Sequence, residues 1–400
     1  MKILYADSLD ESEAEPLRRA GHQCDVQPDL TATTLPDAIG DADILVVRST
    51  KVTAAAIDAA DRLGLIVRAG AGTDTIDKAA ASAAGVFVCN VPGRNAVAVA
   101  ELTIGLLLAI DRRIVDNTVD LRAGRWNKAE YAGADGLAGK RLAIIGLGDI
   151  GLAVAERAKA LGLMVSAVRK PDRSHTSQAA IRSIGVRMVE DLPTLLTEAD
   201  IVSIHVPKSP DTVGMVDRQF LTALGPGTIL LNTSRGEVVD EAALLEALDA
   251  GTIRAGLDVW PSEPSTSTGD IDSALARHPA VVGTHHIGAS TAQAQRSVAE
   301  GVSEVISSYL SGSPLNCVNL IHQSAGTSCL TIRHLDQVGV LAEIFSVLRA
   351  NGLNVQQMQN QVFAGGQAAV ASINIDSSPP ADILEAIERI DEVINVALSG

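Results

Sequence analysis

The sequence predicts an α/β protein with two doubly wound parallel sheets and a smaller third domain at the end of the chain. Val- and Ile-rich runs of strand length alternate with Ala-rich segments of helical period, which is the pattern of a parallel sheet covered by helices. A glycine-rich turn at residues 146–151 joins one such strand to its helix and marks a ligand-binding edge. The segment from residue 327 onward alternates differently and predicts a domain of its own.

The first series of strands and helices occupies residues 1–95. Two polar loops directly follow strands in it, Arg48-Ser49-Thr50-Lys51 and Arg68-Ala69-Gly70-Ala71-Gly72-Thr73-Asp74. Basic side chains and small-residue amides at that sheet edge suit a carboxylate or a phosphate, although solvated charges and a plain turn would look the same. The strands are predicted at 2–5, 44–47, 65–67 and 86–88, with helices between them such as 54–60 and 76–84.

A second series begins after Pro92-Gly93-Arg94-Asn95. The apolar run 96–110 contains Glu101 and is closed by charged residues, so it predicts a buried helix rather than a membrane span. Its strands are predicted at 141–145, 164–168, 186–189, 201–205, 228–231, 255–259 and 281–283.

The turn Gly146-Leu147-Gly148-Asp149-Ile150-Gly151 carries the Gly-x-Gly-x-x-Gly fingerprint of a dinucleotide site. Gly146 lets the chain turn, Gly148 lets a pyrophosphate approach the backbone, and Gly151 lets the helix pack on the strand. The alternative is an ordinary glycine-rich turn in a parallel sheet. The flanking strand and helix favour the dinucleotide interpretation, in a Rossmann-type domain.

The end of the chain predicts a ferredoxin-like domain. A helix at 292–310 and the break Ser311-Gly312-Ser313-Pro314 precede it, and the polar stretch 322–326 separates it. The hairpin turn Ala364-Gly365-Gly366-Gln367 is its clearest local signal. The β-α-β-β-α-β order is predicted at 328–333, 338–350, 354–363, 368–375, 380–390 and 393–398.

Composition limits the classes of partner. The formal net charge of −16 argues against nucleic acid and an anionic membrane surface, so we expect a small-molecule substrate. The four cysteines are widely spaced, which predicts buried reduced thiols, and the N-terminus lacks a signal-peptide core. We therefore expect a cytoplasmic protein without a metal site. The cysteines are Cys24, Cys89, Cys317 and Cys329.

Three polar residues at the ends of predicted strands suggest chemistry. Arg235 can fork onto a carboxylate, His286 can give or take a hydroxyl proton, and Glu263 can orient the imidazole and favour its charged form. With a nicotinamide, that set interconverts an alcohol and a ketone. Taken singly, each residue has a structural alternative: a capping arginine, a turn glutamate or a strand-end histidine.

The chain resembles the D-isomer-specific 2-hydroxyacid dehydrogenase family over essentially its whole length, and within it the members that oxidise 3-phosphoglycerate. Many motifs in the same order carry this likeness. They are Arg48 to Thr53, Arg68 to Asp74, Asn95 with Ala100-Glu101-Leu102-Thr103, the fingerprint, His205-Val206-Pro207, Ser234-Arg235-Gly236, Asp258-Val259-Trp260 with Glu263-Pro264, and His286 to Thr291.

The resemblance implies a substrate-binding domain (1–95 with 288–316), an NAD(P)-binding domain (96–287) and a regulatory ACT domain (327–400). It also implies that Arg235, Glu263 and His286 are catalytic and that Asp258 contacts the nicotinamide amide. The implied cofactor-binding residues are Gly146, Gly148, Asp149, Ile150, Gly151, Arg169, His205, Val206, Pro207, Thr212, Thr233, Ser234, Arg235, Asp258, His286 and Gly288. The implied substrate-binding residues are Arg48, Ser49, Gly70, Ala71, Gly72, Asn95, Lys128, Arg235 and His286.

The implied reaction is hydride transfer from 3-phosphoglycerate to NAD or NADP, the first step of L-serine biosynthesis. A hydroxypyruvate or glyoxylate reductase is the enzyme alternative, and a non-catalytic nucleotide-sensing protein is the other. The resemblance further implies a homodimer or a homotetramer. In the ACT domain, His334, Asp336 and Asn354 match positions that bind an amino-acid effector, but Asp336 replaces the usual asparagine and Val338 the usual proline.

Two further departures concern the active site. Where NAD-binding members place an acid at the end of the second strand, this chain has Arg169 followed by Lys170, which suits a 2′-phosphate and raises NADP as the cofactor. His285 replaces a proline before the catalytic histidine. We assign catalysis to His286 rather than His285, because Ile287-Gly288 follows it as in the family.

Overall fold

The chain is described by a computed structural model over residues 1–7, 11–171, 173–264, 268–320 and 327–399. It forms two compact units, Met1–Asn319 and Leu320–Gly400. The polar stretch predicted at 322–326 lies outside the described residues.

The larger unit begins with a parallel five-stranded sheet covered by helices. Its elements are β1 (Lys2–Tyr5), α1 (Glu11–Arg19), β2 (Gln23–Val26), α2 (Leu35–Ile39), β3 (Ile44–Val47), α3 (Ala54–Asp58), β4 (Leu65–Arg68), α4 (Lys78–Ala83) and β5 (Phe87–Asn90). The strand order is β2-β1-β3-β4-β5. β2 was not predicted, because this edge strand has no fully buried residue and therefore lacks the apolar run that marks β3 and β4.

A parallel seven-stranded sheet follows, in the order β12-β11-β10-β9-β6-β7-β8. The chain steps outward from β6 in opposite directions to β7 and β9, so a crevice opens at the carboxyl ends of β6 and β9. The elements are α5 (Ala96–Asp111), α6 (Ile114–Arg122), β6 (Arg141–Ile145), α7 (Asp149–Ala160), β7 (Met164–Val168), α8 (His175–Ile184), β8 (Arg187–Val189), α9 (Leu192–Thr197), β9 (Ile201–Ile204), α10 (Arg218–Thr222), β10 (Thr228–Asn232), α11 (Glu241–Asp249), β11 (Ile253–Leu257), α12 (Ala274–Arg277) and β12 (Val281–Gly283).

Helix α13 (Ala292–Leu310) returns to the first sheet. Its apolar residues Val302, Val305 and Ile306 share a core with Ile3 and Ile44. The predicted α/β fold with two parallel sheets is thus confirmed, and α13 places the end of this unit beside its beginning.

Several element boundaries differ from prediction, and two of them bear on the site. β11 lies two residues earlier than the predicted 255–259, because the side chain of Asp258 binds the loop that carries His286 rather than facing a neighbouring strand. The apolar helix ends at Asp111, and the left-handed backbone of Arg113 (φ 48°) separates it from the unpredicted α6.

The smaller unit has the predicted β-α-β-β-α-β order. Its elements are β13 (Ser328–Leu335), α14 (Val340–Ala350), β14 (Val355–Val362), β15 (Ala368–Ile375), α15 (Ala381–Glu388) and β16 (Val393–Ser399), and the antiparallel sheet runs β14-β15-β13-β16. β15 alternates buried and half-buried residues, as expected when helices cover one face of a sheet. Gly339 (φ 103°) delays α14 to Val340, two residues after its predicted start.

The four cysteines are not equally buried. Cys89 and Cys317 are buried as predicted, whereas Cys24 and Cys329 are only partly buried, which corrects the prediction for these two. Cys24 lies on the edge strand β2, and Cys329 lies near the start of β13. Within the described residues, no helix combines the length and apolarity needed to cross a bilayer.

Candidate active site

The fingerprint turn joins β6 to α7 at the crevice of the seven-stranded sheet. Gly146 adopts φ 98°, and a Cβ there would lie 2.4 Å from the carbonyl oxygen of His205. A Cβ on Gly151 would lie 2.0 Å from the carbonyl oxygen of Gly146, whereas one on Gly148 would meet nothing within 4 Å. Two glycines are therefore required by close packing, and the middle one lines open space.

This open backbone fits a dinucleotide. Gly148 is the N-cap of α7, so the unpaired amides of the first turn face the space beside it. The Nδ1 of His205 is buried without a hydrogen-bond partner in the described structure, and its Nε2 contacts Ser203 Oγ at 2.7 Å. Burial lowers the pKa of His205 to about 3, so its imidazole is neutral at physiological pH.

Basic residues follow β7 at the edge of this crevice. Arg169 is exposed, and its Nε donates to Glu190 Oε1 at 3.1 Å. Arg173 donates from Nη1 to the carbonyl of Leu147 at 2.9 Å, while its buried Nε has no partner in the described structure. Arg173 and Glu190 were not among the predicted site residues. Arg173 could have been predicted from the sequence, because it follows Arg169 and Lys170 within a few residues and forms a basic cluster with them.

His286 and Glu263 form a contact pair. Nδ1 of His286 lies 2.7 Å from Oε2 of Glu263, and Oε1 of Glu263 accepts from the backbone amide of Trp260 at 2.9 Å. His286 has a left-handed backbone, φ 51°, which a non-glycine residue rarely adopts. One ring nitrogen is thus held by a carboxylate, and Nε2 is left for another partner.

Asp258 fixes the loop that carries His286. Its backbone carbonyl accepts from the amide of His286 at 2.7 Å. Its carboxylate accepts from the amides of Ile287 and Gly288, both at 2.8 Å, and from the hydroxyl of Thr284 at 2.6 Å. These bonds hold the unusual backbone conformation of His286 in place.

Arg235 connects the ends of the two sheets. It follows β10, and its Nε donates to Asp74 Oδ2 at 2.9 Å, although Asp74 lies in the loop after β4. Its Nη1 donates to the carbonyl of Ser234 at 2.7 Å. A Cβ on Gly72 would lie 2.0 Å from Nη2, so that nitrogen abuts the small-residue loop.

The three predicted catalytic residues interact electrostatically, as the pKa of Glu263 shows. Burial raises the pKa of Glu263, but the hydrogen bond and charge of His286, the Trp260 amide and the charge of Arg235 outweigh it, and the pKa falls below its usual value. Gly236 supports this approach, because a Cβ there would lie 2.2 Å from the carbonyl carbon of Trp260. The Arg235 loop therefore packs directly against the backbone that leads to Glu263.

The predicted substrate residues are held in different ways. The amides of Arg48 and Ser49 donate to the Asp7 carboxylate at 2.6 and 3.0 Å, and Asn90 Nδ2 fixes the carbonyl of Ala71 at 2.6 Å. Asn95 Oδ1 is buried without a partner in the described structure.

Lys128 is exposed. Asp7 and Asp74 were missed by sequence reasoning, because each acts through a partner far away in the chain.

The remaining cofactor positions lie around the carboxyl ends of β9 and β10. Thr212 closes its loop onto the carbonyl of Pro207 at 2.6 Å, next to Val206. Thr233 contacts Thr103 of α5 at 2.9 Å between hydroxyl oxygens, and Ser234 donates to Asn232 Oδ1. Among the described residues, no cluster of three or more His, Cys, Asp or Glu side chains is placed to hold a metal ion.

In the smaller unit, the predicted effector residues differ in exposure. His334 is buried, with Nδ1 2.8 Å from the carbonyl oxygen of Leu335 and Nε2 3.1 Å from Asn360 Oδ1. Asp336 and Asn354 are exposed, and the Asn354 amide donates to Asp376 Oδ1 at 3.2 Å. Both ring nitrogens of His334 are therefore occupied within the fold.

A dinucleotide fingerprint beside a histidine–carboxylate pair and an arginine is typical of nicotinamide-dependent dehydrogenases. Residues 104–288 match the model of the "D-isomer specific 2-hydroxyacid dehydrogenase, NAD binding domain" family. The chain is 42% identical over 300 residues to a hydroxypyruvate reductase of Thermotoga maritima, covering 74% of this chain and 94% of that protein. It belongs to the D-isomer specific 2-hydroxyacid dehydrogenase family.

Two further comparisons extend this result. The chain is 39% identical over 332 residues to D-3-phosphoglycerate dehydrogenase of Methanocaldococcus jannaschii, covering 82% of this chain but only 61% of that protein. An acyclic imino acid reductase solved with NADPH and D-Arg superimposes with a TM-score of 0.70 at 27% identity, over 80% of this chain and 100% of that one.

Proposed function

We propose that the protein is an NAD(P)-dependent dehydrogenase of D-2-hydroxy acids that oxidises 3-phosphoglycerate to 3-phosphohydroxypyruvate, the first step of L-serine biosynthesis. The observation that carries the proposal is the contact of His286 with Glu263, at 2.7 Å, within the electrostatic range of Arg235. The similarity to the M. jannaschii enzyme supports the choice of substrate. A cytoplasmic location is part of the same proposal.

In this proposal each residue has one task. A bound nicotinamide would supply the hydride acceptor for the substrate carbon. In oxidation, neutral His286 takes the hydroxyl proton at Nε2, because Nδ1 faces Glu263. In reduction, protonated His286 returns that proton, and the charge of Glu263 stabilises the imidazolium. Arg235 holds the substrate carboxylate through Nη2, since Asp74 and the Ser234 carbonyl already occupy its other nitrogens.

Two neighbouring histidines provide the test of this assignment. We expect His286→Asn to lower kcat for 3-phosphoglycerate oxidation by about 10²- to 10⁴-fold, the range for a lost general base. The matched variant His285→Asn should change kcat by less than about threefold, since surface replacements away from the chemistry have small effects. Calorimetry should show that both variants still bind the cofactor. Equal losses in the two variants would refute the role of His286.

The domain roles follow from the same assignment. Residues 1–95 with 288–316 would bind substrate, and 96–287 would bind the cofactor. The loops after β4 and β10 already approach each other through Asp74 and Arg235. Closure around the substrate would exclude water and bring the reacting carbon to the nicotinamide.

For the cofactor, we propose that NADP(H) is used at least as well as NAD(H). Arg169, Lys170 and Arg173 give the crevice edge a positive charge that suits a 2′-phosphate. The imino acid reductase of similar fold was solved with NADPH. Glu190 opposes this preference, because its carboxylate pairs with Arg169. Measuring kcat/KM with both cofactors, in the wild type and in Arg169→Asp, tests the proposal; a strong wild-type preference for NAD would overturn it.

A hydroxypyruvate or glyoxylate reductase is the second candidate, favoured by the similarity to the T. maritima enzyme. Reduction of 3-phosphohydroxypyruvate and of hydroxypyruvate by the purified protein separates the two functions. A non-catalytic nucleotide sensor would bind the cofactor yet turn over neither compound, nor glyoxylate.

We also propose a homo-oligomer, at least a homodimer, with a homotetramer as the larger possibility. Helix α6 has no buried residue and exposes apolar side chains, and the nearby Trp126 is 81% exposed. A second copy of the chain would cover this apolar surface. Light scattering of the wild type and of Val119→Asp tests it: the variant should be smaller, and a monomeric wild type would contradict it.

For the smaller unit, we propose an ACT domain that binds an amino acid at His334, Asp336 and Asn354. Its ferredoxin-like strand and helix order supports this assignment. Calorimetry with serine and a panel of other amino acids tests it, and no binding by any of them would leave the domain without an effector.

A further inference from the structure

Two buried cysteines face each other between segments that are far apart in the chain. Cys89 lies in β5, the strand at one edge of the five-stranded sheet, and Cys317 lies in the segment that follows α13. The two residues form an antiparallel bridge, and both belong to the same hydrophobic core. The segment around Cys317 therefore covers the edge of the sheet and brings one thiol onto the other.

The backbone hydrogen bonds beside this bridge define its geometry. The Asn90 amide donates to the Asn316 carbonyl at 3.2 Å, and the Val318 amide donates to the Val88 carbonyl at 2.8 Å. Because these bonds flank the cysteines rather than join them, the cysteines form a non-hydrogen-bonded antiparallel pair, in which the Cα atoms lie about 4.5 Å apart and the side chains share one face. A disulfide requires Cα atoms about 4.4–6.8 Å apart. The bridge thus holds the two thiols where a disulfide can form with little movement of the backbone.

The two thiols differ in reactivity. Burial raises the pKa of Cys89 to about 12, and the charge of Cys317 and a side-chain hydrogen bond with it act in the same direction. Cys89 is therefore protonated at physiological pH, and a buried thiol in this state reacts slowly with oxidants. Cys317 is buried too, but its neighbours Asn316 and Val318 are exposed. When this short segment opens locally, an oxidant meets Cys317 first.

We propose that Cys89 and Cys317 are a redox-sensitive pair that forms a disulfide in the presence of hydrogen peroxide. The Cys317 thiol loses its proton and attacks one peroxide oxygen; the O–O bond breaks, and a sulfenic acid and one water form. The Cys89 sulfur then attacks the sulfenic sulfur, the S–S bond forms, and the hydroxyl group leaves with the Cys89 proton as a second water. Two thiols are thus oxidised and one peroxide is reduced to water. A small-molecule thiol reverses the bond by exchange.

The bond has a consequence for stability. It would close a loop that contains residues 90–316 and hence every predicted cofactor-binding residue. A disulfide that closes a long loop stabilises the folded state, mainly because it restricts the unfolded chain. In a reducing compartment the pair stays reduced. The larger unit would therefore become more resistant to unfolding only when the protein meets an oxidant.

Peptide mapping of the full chain tests the pairing. Reduced protein is treated with hydrogen peroxide, the remaining thiols are alkylated in denaturant, and the peptides are compared before and after reduction. We expect a species that links Cys89 to Cys317 and disappears on reduction. The partly buried Cys24 and Cys329 are internal controls, because oxidation governed by exposure alone would consume them first. Recovery of Cys89 and Cys317 as thiols when the other two are fully oxidised, or their overoxidation without a link, would overturn the inference.

Thermal unfolding gives a second measurement. We expect the larger unit of the oxidised wild type to unfold about 5 °C above that of the reduced wild type. Cys317→Ser, which cannot form the bond, should show no difference between its oxidised and reduced forms. Cys329→Ser is the matched control in the smaller unit and should retain the wild-type difference. Equal unfolding temperatures of oxidised and reduced wild type, or the same gain in Cys317→Ser, would contradict the proposal. If Cys317→Ser does not fold, Cys317→Ala is read by the same criteria.

Discussion

Glu263 is a carboxylate whose ionised form the fold favours, and this has a consequence for stability. Its pKa lies below the usual 4.5, because hydrogen bonds from His286 and the Trp260 amide outweigh the effect of burial. A group with a lowered pKa stabilises the folded state above its unfolded-state value, and this contribution disappears as pH falls through the folded-state value. Its window therefore lies below about pH 4.5.

We expect Glu263→Gln to be less stable than the wild type at pH 7, and the difference to shrink as pH falls below about 4.5. Urea unfolding of both proteins between pH 3 and 7 measures it. Glu156→Gln, an exposed change on α7, is the control and should show no such trend. A wild-type advantage that stays constant down to pH 3 would contradict the pairing of Glu263 with His286.

Single residues also show where sequence reasoning ends. Arg235, Glu263 and His286 were predicted because each follows a strand, and the structure brings them together. Asp74 was not predicted as a site residue, although its loop was predicted to suit an anion, because its partner Arg235 is 161 positions away. The spacing of residues in the chain shows which side chains follow a given strand. Contacts between loops that are distant in the chain depend on the relative placement of the two sheets.

The fingerprint turn allows a prediction at the scale of one element. Gly151→Ala should destabilise the protein by about 1–3 kcal/mol or more, because the new methyl group would lie 2.0 Å from the carbonyl oxygen of Gly146. Gly148→Ala should leave stability within about 0.5 kcal/mol, since its φ is −84° and its surroundings are open.

Gly148→Ala should instead weaken dinucleotide binding by at least about tenfold, because the methyl group occupies the space that a pyrophosphate would enter. Thermal unfolding and cofactor titration of the two variants measure both effects. Unchanged cofactor affinity in Gly148→Ala would refute a dinucleotide site at this turn. Equal stability losses would show that Gly148 is also required by packing.

The sequence predicted which helices and strands exist more accurately than it predicted where they end. The central strands were recognised as apolar runs, but the edge strand β2 was not, since it has no fully buried residue. β11 was placed two residues late because the apolar Val259 and Trp260 follow Asp258 after the strand has ended. The end of β11 is set by hydrogen bonds from the His286 loop to Asp258, which lie far from it in the chain.

The whole chain consists of two units with separate cores. Among the described residues, the hydrophobic core of the smaller unit draws its members from residues 330–396, and the four hydrophobic cores of the larger unit draw theirs from residues up to 317. The residues assigned to catalysis and to cofactor binding all lie in the larger unit, Met1–Asn319. Each unit therefore has the apolar contacts for its own folding transition.

We expect a chain shortened to residues 1–319 to fold, bind the dinucleotide and keep kcat within about twofold of the full chain, because it retains four complete cores and every proposed catalytic residue. Differential scanning calorimetry should show that the shortened chain lacks one transition present in the full chain. A separate chain of residues 320–400 is the control and should reproduce that missing transition. Aggregation of the shortened chain, or loss of its cofactor affinity, would show that the larger unit requires the smaller one for its stability.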